Sequence, residues 1–380
     1  MKNKIINFLS AIIYCIDYIF PKSSNHIIFY SSPDFSDNCR AMFEKLKETK
    51  KIDNYHVTWV VKDYKKYINL FPDILFVKHK SIKSLYYFCR AKYIIRTHSF
   101  WNNIYIKNRQ IMCVAWHGML IKGYHYSEIG IYPYNAHDYF CVTSPLYAKL
   151  FSKMFNADLK RFNITGFPRN DYLFQKCDDL LKIMNLNKYK KIIIWMPTFR
   201  GYGKNLVDGR SSESGLPTLK IYDLIDINKT LEELNYVLLL KLHPWAQETV
   251  KGLENCSMIK VIKNEDIPYQ YNLYHLISKT DAMISDFSSV WGDYLLLNRP
   301  IGFAFDDLEE YKKSRYIPLS PIESFMPGPK IRNKKELISF ISSLNKNDKY
   351  IKERIKIRDL FLSNVDGNSS ERFLKEIGLL

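Results

Sequence analysis

The sequence predicts an α/β protein built from two Rossmann-like domains, each with a parallel sheet. Short apolar runs rich in Ile, Val, Tyr and Phe alternate with helix-like stretches, as in repeated βαβ units. A polar segment at residues 176–191 interrupts this rhythm, which then restarts. The length of 380 residues also exceeds what one hydrophobic core usually supports. We therefore expect an N-terminal domain at residues 1–185 and a C-terminal domain at residues 186–380, with their sheets facing a central cleft.

The apolar runs are predicted as strands, and the stretches with helical periodicity between them as helices. The runs of the N-terminal domain are at residues 26–31, 55–61, 74–78, 93–96, 110–115, 139–143 and 162–165. Those of the C-terminal domain are at residues 192–196, 236–242, 258–262, 282–285 and 300–305. The predicted helices are at residues 38–47, 81–91, 145–155, 219–234, 269–278 and 334–344.

The first twenty residues form a separate segment. Lys2 and Lys4 precede an apolar stretch that Asn7, Ser10 and Asp17 interrupt. This stretch is shorter than the roughly 20 apolar residues of a membrane-spanning helix, and no small-residue cleavage site of a signal peptide follows it. Its polar residues fall on one stripe of a helical wheel. We expect an amphipathic N-terminal helix that either packs on the protein or lies on a membrane surface.

The chain carries 56 basic and 39 acidic residues, which gives a net charge of +17. Such a charge favours an anionic partner, such as a membrane surface or a phosphate-rich substrate. The basic residues are spread along the chain without an RNA-binding or helix-turn-helix signature, so nucleic acid is not expected as a partner. The seven cysteines have no C-x-x-C spacing and several lie in apolar runs, which predicts reduced, buried thiols and a cytosolic location.

Two histidines directly follow apolar runs, one in each domain. His117 comes after the run at residues 110–115, and His243 after the run at residues 236–242. In open α/β sheets, ligands bind beyond the carboxyl ends of the strands. An imidazole at that position can take a proton from a hydroxyl or donate a hydrogen bond to a phosphate oxygen. Either histidine alone is more often structural, but two at equivalent positions favour a functional site.

Thr198 and Arg200 lie just beyond the run at residues 192–196. A hydroxyl and a guanidinium two residues apart on an extended chain point the same way and can bind a diphosphate. The glycine-rich segment at residues 201–217 comes next. A segment of this length without regular structure is typical of a mobile flap over a site or of disorder.

Polar side chains also follow the run at residues 282–285. Asp286, Ser288 and Ser289 open a predicted helix that extends through Leu297. Such residues can cap the helix, and the backbone N–H groups at its start can bind an anion. Asp286, Ser288 and Ser289 are therefore candidates for binding a phosphate-bearing ligand.

Other polar residues are candidates for acceptor binding or for support of the site. They are His98 at a strand end, Lys122 five residues after His117, and Arg169 in a turn. No group of His, Cys and Asp has metal-ligand spacing, and neither a G-x-G-x-x-G motif nor a P-loop is present. We therefore predict neither a metal ion nor a nicotinamide cofactor.

Taken in order, these motifs resemble the CDP-glycerol glycerophosphotransferase family, which acts in the synthesis of teichoic acids and related capsule polymers. The resemblance extends over about residues 27 to 345. The motifs that carry it are Trp116-His117-Gly118, Gly166-Phe167-Pro168-Arg169-Asn170-Asp171, Pro197-Thr198-Phe199-Arg200, Leu242-His243-Pro244, Ser285-Asp286-Phe287-Ser288-Ser289 with Asp293, Arg299-Pro300 and Pro327-Gly328-Pro329.

The resemblance implies a GT-B fold in which the second domain holds most of the nucleotide. It implies transfer of glycerol phosphate, or another polyol phosphate, from a CDP-activated donor to a hydroxyl of a lipid-linked glycan or growing polymer, with release of CMP. It also implies a peripheral position on the cytoplasmic face of the membrane. The residue roles that it implies are a base (His117), a second essential histidine near the donor diphosphate (His243), donor contacts (Thr198, Arg200, Ser288, Ser289) and possible support (Asp293).

The sequence departs from the family pattern after His117. The usual His-Gly-Thr-Pro-x-Lys is replaced here, because Met119 and Leu120 stand where a hydroxyl and a proline are expected. A glycine expected after Arg315 is also missing. Glycerol and ribitol remain open as the polyol, and so does the number of units added. The alternatives are a GT-B glycosyltransferase or nucleotide-sugar epimerase, and a non-enzymatic basic protein that binds a membrane or nucleic acid.

Overall fold

The computed structural model describes residues 15, 18–98, 100, 110–119, 121–122, 138–198, 214–242 and 250–380. The chain divides into two compact units. Unit 1 comprises Met1–Gly118, Tyr126–Asp171 and Ser363–Leu380, and unit 2 comprises Met119–His125 and Tyr172–Leu362. The predicted domain boundary was at residue 185, whereas the long segment of unit 2 begins at Tyr172. In addition, the last residues return to unit 1, and a short segment after Gly118 belongs to unit 2.

Unit 1 contains a seven-stranded sheet in the order β3-β2-β1-β4-β5-β6-β7, in which every strand pair is parallel. Ile27, Ile28 and Phe29 are fully buried, as expected for a strand that is covered on both faces. The strands are β1 (Ser23–Tyr30), β2 (His56–Val61), β3 (Leu75–Lys78), β4 (Ala91–Arg96), β5 (Ile111–Val114), β6 (Tyr139–Val142) and β7 (Phe162–Ile164).

Unit 2 contains a second parallel sheet, with six strands in the order β10-β9-β8-β11-β12-β13. One face of it belongs to a hydrophobic cluster that includes Trp195, Leu238 and Ile284. The strands are β8 (Lys191–Trp195), β9 (Tyr236–Leu240), β10 (Ile259–Val261), β11 (Ala282–Ser285), β12 (Ile301–Ala304) and β13 (Lys330–Ile331).

Helices connect these strands. In chain order they are α1 (Asp37–Glu48), α2 (Tyr64–Leu70), α3 (Ile82–Arg90), α4 (Pro145–Phe155), α5 (Leu180–Ile183), α6 (Asp223–Leu234), α7 (Leu273–Ser278), α8 (Val290–Tyr294), α9 (Leu308–Ser314), α10 (Lys334–Ser343), α11 (Ile351–Phe361) and α12 (Ser369–Glu376). Helix α4 shows how the sequence sets the ends of a helix. The Ser144 hydroxyl caps it by accepting from the N–H of Tyr147, Pro145 is its first residue, and Asn156 ends it in the left-handed conformation.

The C-terminal helix α12 belongs to unit 1, where it contacts α1. The Asp171 carboxylate fixes its start, because it accepts hydrogen bonds from the N–H groups of Ser369 and Ser370 at 2.7 and 2.8 Å. Gly166 permits this close approach, since a Cβ at that position would lie 2.4 Å from the Ser369 Oγ. The conformation of Gly166, with φ of +81°, also favours glycine.

The cysteines agree with the sequence prediction. All seven are free, and all but Cys15 are buried. Within the described ranges, no helix is both long and apolar enough to cross a membrane. The predicted amphipathic helix at the N-terminus lies outside the described residues except for residues 15 and 18–20.

The strand order reverses at one point in each sheet, between β1 and β4 in unit 1 and between β8 and β11 in unit 2. In open α/β sheets, ligands bind beyond the carboxyl ends of the strands at such a reversal. The loops that follow these strands, and the loop after β5 beside β4, carry most of the residues that the sequence analysis selected.

Candidate active site

His98 and His117 lie side by side in unit 1, because they follow the neighbouring strands β4 and β5. Their rings are stacked, with centroids 4.3 Å apart and planes 18° apart. The His98 Nδ1 lies 2.8 Å from the Thr97 hydroxyl oxygen, and the His117 Nδ1 lies 3.5 Å from the Thr97 carbonyl oxygen. His98 is half-buried, whereas His117 is exposed.

The environment of His98 favours a neutral imidazole. Burial lowers its pKa below the ordinary value, and the positive charges of Lys62 and Arg169 act in the same direction, while Asp37 opposes them. A neutral His98 ring adds no positive charge beside His117.

The side chain of Asn38 holds the backbone that leads to His117. Its Nδ2 donates to the carbonyl oxygens of Ala115 and Trp116 at 3.2 and 2.8 Å. Its Oδ1 accepts from the N–H of Arg169 at 2.9 Å. Asn38 is fully buried and was not among the predicted site residues, although it lies in the first turn of α1, just after the loop that follows β1.

Arg169 completes this arrangement with a buried ion pair. Its Nη1 donates to the carbonyl oxygen of His117 at 2.7 Å and lies 3.1 Å from the Asp37 Oδ1. The two side chains are only 6% and 12% exposed, so solvent screens their attraction weakly. Asp37 adopts a left-handed backbone conformation, with φ of 59°, which Asp tolerates better than most residues. Asp37 directly precedes the helix that was predicted at residues 38–47, but no sequence signal indicated its ion pair with Arg169.

In unit 2, the Asp286 carboxylate joins the loops that follow β8 and β11. Its two oxygens accept from the N–H of Thr198 at 2.9 and 3.0 Å, and Oδ1 also accepts from the Thr198 hydroxyl at 2.7 Å. Oδ1 further accepts from the N–H of Ser288 at 3.2 Å. Asp286 is fully buried. The structure thus shows the Asp286 carboxylate holding the start of the loop after β8 against the segment that precedes α8.

Ser288 and Ser289 are half-buried at the start of α8. The predicted helix through Leu297 consists of α8 and a following 3-10 turn, Leu295–Leu297. The Ser289 side chain makes no capping hydrogen bond to this helix. Because α8 has only five residues, its dipole contributes little, and the serines can bind a ligand only through their own hydroxyl and N–H groups.

Lys122 lies in unit 2, although it follows His117 closely in the chain. Its ammonium nitrogen is 5.9 Å from the ring centroid of the fully buried Tyr311. Tyr311 in turn stacks on Phe287, with centroids 4.2 Å apart. The structure thus places Lys122 near the segment that begins with Asp286.

The unusual Met119 packs against α8. Only 3% of its surface is exposed, and a Cβ on Gly292 would lie 2.6 Å from its Sδ. The absence of a side chain at Gly292 therefore accommodates Met119, which explains how a large residue replaces the expected threonine.

Asp293 is buried in α8, and its Oδ2 accepts a hydrogen bond from the Tyr274 hydroxyl at 2.6 Å. Two other predicted donor residues, Arg200 and His243, lie outside the described residues, as do residues 201–213 of the predicted flap. Within the ranges that the structure describes, no three His, Cys, Asp or Glu residues are grouped so that they could hold a metal ion.

Residues 12–379 match the sequence model of the CDP-glycerol:poly(glycerophosphate) glycerophosphotransferase family. The chain belongs to this family. Membership confirms the resemblance stated from the motifs and the prediction of a transferase of the glycerophosphotransferase type. The match covers both units.

Two curated relatives align with this chain over most of their own length. A teichoic acid ribitol-phosphate primase of Bacillus spizizenii is 28% identical and aligned over 91% of this chain and 88% of its own. A teichoic acid poly(glycerol phosphate) polymerase of the same organism is 26% identical over 97% and 95%. Primases and polymerases therefore resemble this chain to similar degrees.

The solved structure of a variant of the wall teichoic acid polymerase TagF has the same fold. It superposes on this chain with a TM-score of 0.79 at 23% sequence identity, covering 98% of this chain and 92% of that one. This likeness, with the two parallel sheets, confirms the predicted GT-B fold class of two Rossmann-like domains.

Proposed function

We propose that this glycerophosphotransferase transfers glycerol phosphate, or a related polyol phosphate, from a CDP-activated donor to an acceptor hydroxyl and releases CMP. The acceptor is a lipid-linked glycan or a growing polymer of the teichoic acid or capsule type. Family membership supports the reaction class, and the arrangement around His117 is the observation that carries the mechanism. The named activities of the relatives, on ribitol phosphate and glycerol phosphate, support a polyol phosphate as the transferred group.

In this mechanism His117 is the general base. With its proton on Nδ1 towards the Thr97 carbonyl, the ring carries a lone pair on Nε2. This nitrogen takes the proton of the acceptor hydroxyl, and the oxygen attacks the phosphorus that bears the polyol. A new P–O bond forms as the bridging P–O bond breaks, and CMP leaves with that electron pair.

On the donor side, we assign Ser288 and Ser289 to the phosphates. Thr198, whose N–H and hydroxyl both donate to Asp286, holds the loop after β8 in place beside them. Arg200 and His243 extend this set by their places in the family motifs. Hydrogen-bond donors held in place before the reaction stabilise the charge that develops on the diphosphate. We propose this mechanism without a metal ion or other cofactor.

The direct test supplies the protein with CDP-glycerol or CDP-ribitol and a lipid-linked acceptor, and measures CMP. We expect CMP release that depends on the acceptor, and the faster donor identifies the polyol. Release of a nucleoside diphosphate from nucleotide sugars would favour the glycosyltransferase alternative. Binding of membrane or nucleic acid that survives loss of both His117 and His243, without turnover of either donor, would favour the non-enzymatic alternative.

We also propose that the protein works at the inner face of the bacterial membrane, held by its positive charge. Basic residues near an anionic leaflet contribute about 1 kcal/mol each, and salt screens this attraction. Co-sedimentation should be strong with vesicles that contain an anionic lipid, weak with neutral vesicles, and reduced by salt. Equal binding to both kinds of vesicle would contradict the electrostatic part of this proposal.

A further inference from the structure

Lys241 is a buried lysine at the carboxyl end of β9, with only 7% of its surface exposed. Its backbone N–H donates to the carbonyl oxygen of Trp195 at 2.9 Å, so it lies beside the end of β8, which leads to Thr198. Trp195 is paired on its other side with Ile284 of β11, which leads to Asp286. Lys241, Thr198 and Asp286 therefore follow three neighbouring strands at the same edge of the sheet.

The Lys241 side chain faces away from the main hydrophobic cluster of unit 2. Leu240 and Leu242 both belong to that cluster, and successive side chains of a strand point to opposite faces. Phe303 also lies outside the cluster, and Trp291 of α8 packs on it with ring centroids 5.3 Å apart. Lys241 is thus on the same face of the sheet as Phe303, the face on which α8 packs.

Within the described part of the chain, the Lys241 ammonium has no hydrogen bond or ion pair. Glu265 and Asp266 are the charged groups that face it, and neither forms an ion pair with it. Burial lowers the pKa of Lys241 below its ordinary value, although these two carboxylates oppose the shift. A buried charge without a partner destabilises a fold, so its presence beside a ligand-binding edge indicates a ligand that supplies the partner.

We propose that the Lys241 ammonium binds a phosphate oxygen of the CDP-activated donor. This inference rests on the proposed function, from which the donor is taken. Among the described residues of the unliganded protein, only the carboxylates of Glu265 and Asp266, which form no ion pair with Lys241, offset its charge, and the donor diphosphate provides a direct partner when it binds. Lys241 directly follows β9, the strand next to the one that leads to Thr198, in a position that the predicted donor contacts did not include.

The substitution Lys241→Met separates this role from a structural one, because methionine is similar in length and carries no charge. Hydrogen bonds to charged groups are strong enough that we expect the Kd for CDP to rise by about 10-fold or more. The rise should be smaller for CMP, which has one phosphate fewer, and absent for cytidine. In the absence of nucleotide, the variant should unfold at a higher temperature than the unsubstituted protein, because a buried unpaired charge has been removed.

Lys330 provides a matched control in the same unit. It is half-buried, but its ammonium donates to the carbonyl oxygens of Met326 and Gly328 at 2.5 and 3.1 Å. Lys330→Met should therefore lower the unfolding temperature and leave the Kd for CDP unchanged.

Isothermal titration of the full chain with CDP, CMP and cytidine, together with thermal unfolding, decides the question. An unchanged Kd for CDP in Lys241→Met would overturn the inference while leaving the proposed function intact. An equal loss for cytidine would place Lys241 at the nucleoside and overturn the assignment to phosphate. Failure of the unsubstituted protein to bind CDP at all would instead refute the proposed donor, and this inference with it.

Discussion

The imidazole rings of His98 and His117 are stacked almost in parallel at 4.3 Å, and Thr97, which directly follows β4, contacts both. His98 is the better buried of the two and is held by the Thr97 hydroxyl. It therefore limits the orientations that the exposed His117 ring can adopt. The orientation of the proposed base, His117, therefore depends on His98, which takes no part in the proposed proton transfer.

We expect His98→Ala to lower kcat/KM by about 10- to 100-fold, because small displacements of a reacting group are costly. His98→Phe should recover much of this loss, since it restores a stacked ring. Measurement of CMP release by both variants checks this expectation. If alanine supports the unsubstituted rate, the stacking has no part in positioning His117.

His117→Ala should reduce the rate of CMP release by about 10²- to 10⁴-fold, the usual contribution of a general base. The exposed position of His117 means that folding should be little affected. His56→Ala is the matched control, because His56 is also exposed but opens β2, at the amino end of the sheet. Near-normal turnover by the His117 variant would exclude it as the base.

Asp37→Asn should destabilise the protein by about 3 kcal/mol or more, because it leaves the buried Arg169 guanidinium without its counter-charge. Asparagine also tolerates the left-handed backbone at this position, so the effect reports the charge. Glu323→Gln is the control, since it breaks an exposed ion pair with Arg332 and should cost less than about 1 kcal/mol. Urea unfolding measures the free energy of unfolding of both variants. Equal losses would show that the buried Asp37–Arg169 pair stabilises the protein no more than an exposed ion pair does.

Thr198→Val should cost about 1 to 3 kcal/mol of stability, because the buried Asp286 loses a hydrogen bond from the Thr198 hydroxyl. The KM for the CDP-activated donor should rise in the same variant. Thr49→Val makes the same chemical change at an exposed helix end and should alter neither quantity appreciably. A raised KM without loss of stability would mean that the hydroxyl serves the donor and not Asp286.

His26 should make the stability of the protein depend on pH. Burial lowers its pKa from 6.5 to about 4, while the same residue in the unfolded chain titrates near 6.5. Since the folded form disfavours the proton, the full stabilisation is present above pH 6.5 and is lost as the pH falls towards 4, by about 3 kcal/mol in total. The difference in unfolding free energy between the unsubstituted protein and His26→Gln should narrow over that range. A constant difference would contradict the shift.

The strands were predictable because each is a compact apolar run, and every predicted run corresponds to a strand of the structure. One strand, β13, was not predicted, because its two residues are too few to form an apolar run. Helix α11 was also not predicted, because its sequence is mostly charged and few of its residues are buried. Elements that depend on tertiary contacts more than on their own pattern leave a weak signal.

The strand ends located His98, His117, Thr198 and Asp286, but not how they are held. Asn38 and Arg169 are 131 positions apart, and their hydrogen bond arises only when β1 and the turn after β7 come together. No local pattern encodes such a contact. The partner of Lys122 was equally hidden, because it belongs to a separate helix, α9.

The return of α12 to unit 1 has a consequence for synthesis on the ribosome. The residues that complete unit 1 are translated only after Tyr172–Leu362 of unit 2, a delay of about 10 to 40 seconds at roughly 5–20 residues per second. Throughout that time the Asp171 carboxylate lacks the N–H donors of Ser369 and Ser370, and the surface of α1 that contacts α12 stays exposed. Unit 1 is therefore translated first but completed last, and we expect chaperones to bind mainly to this unit during synthesis.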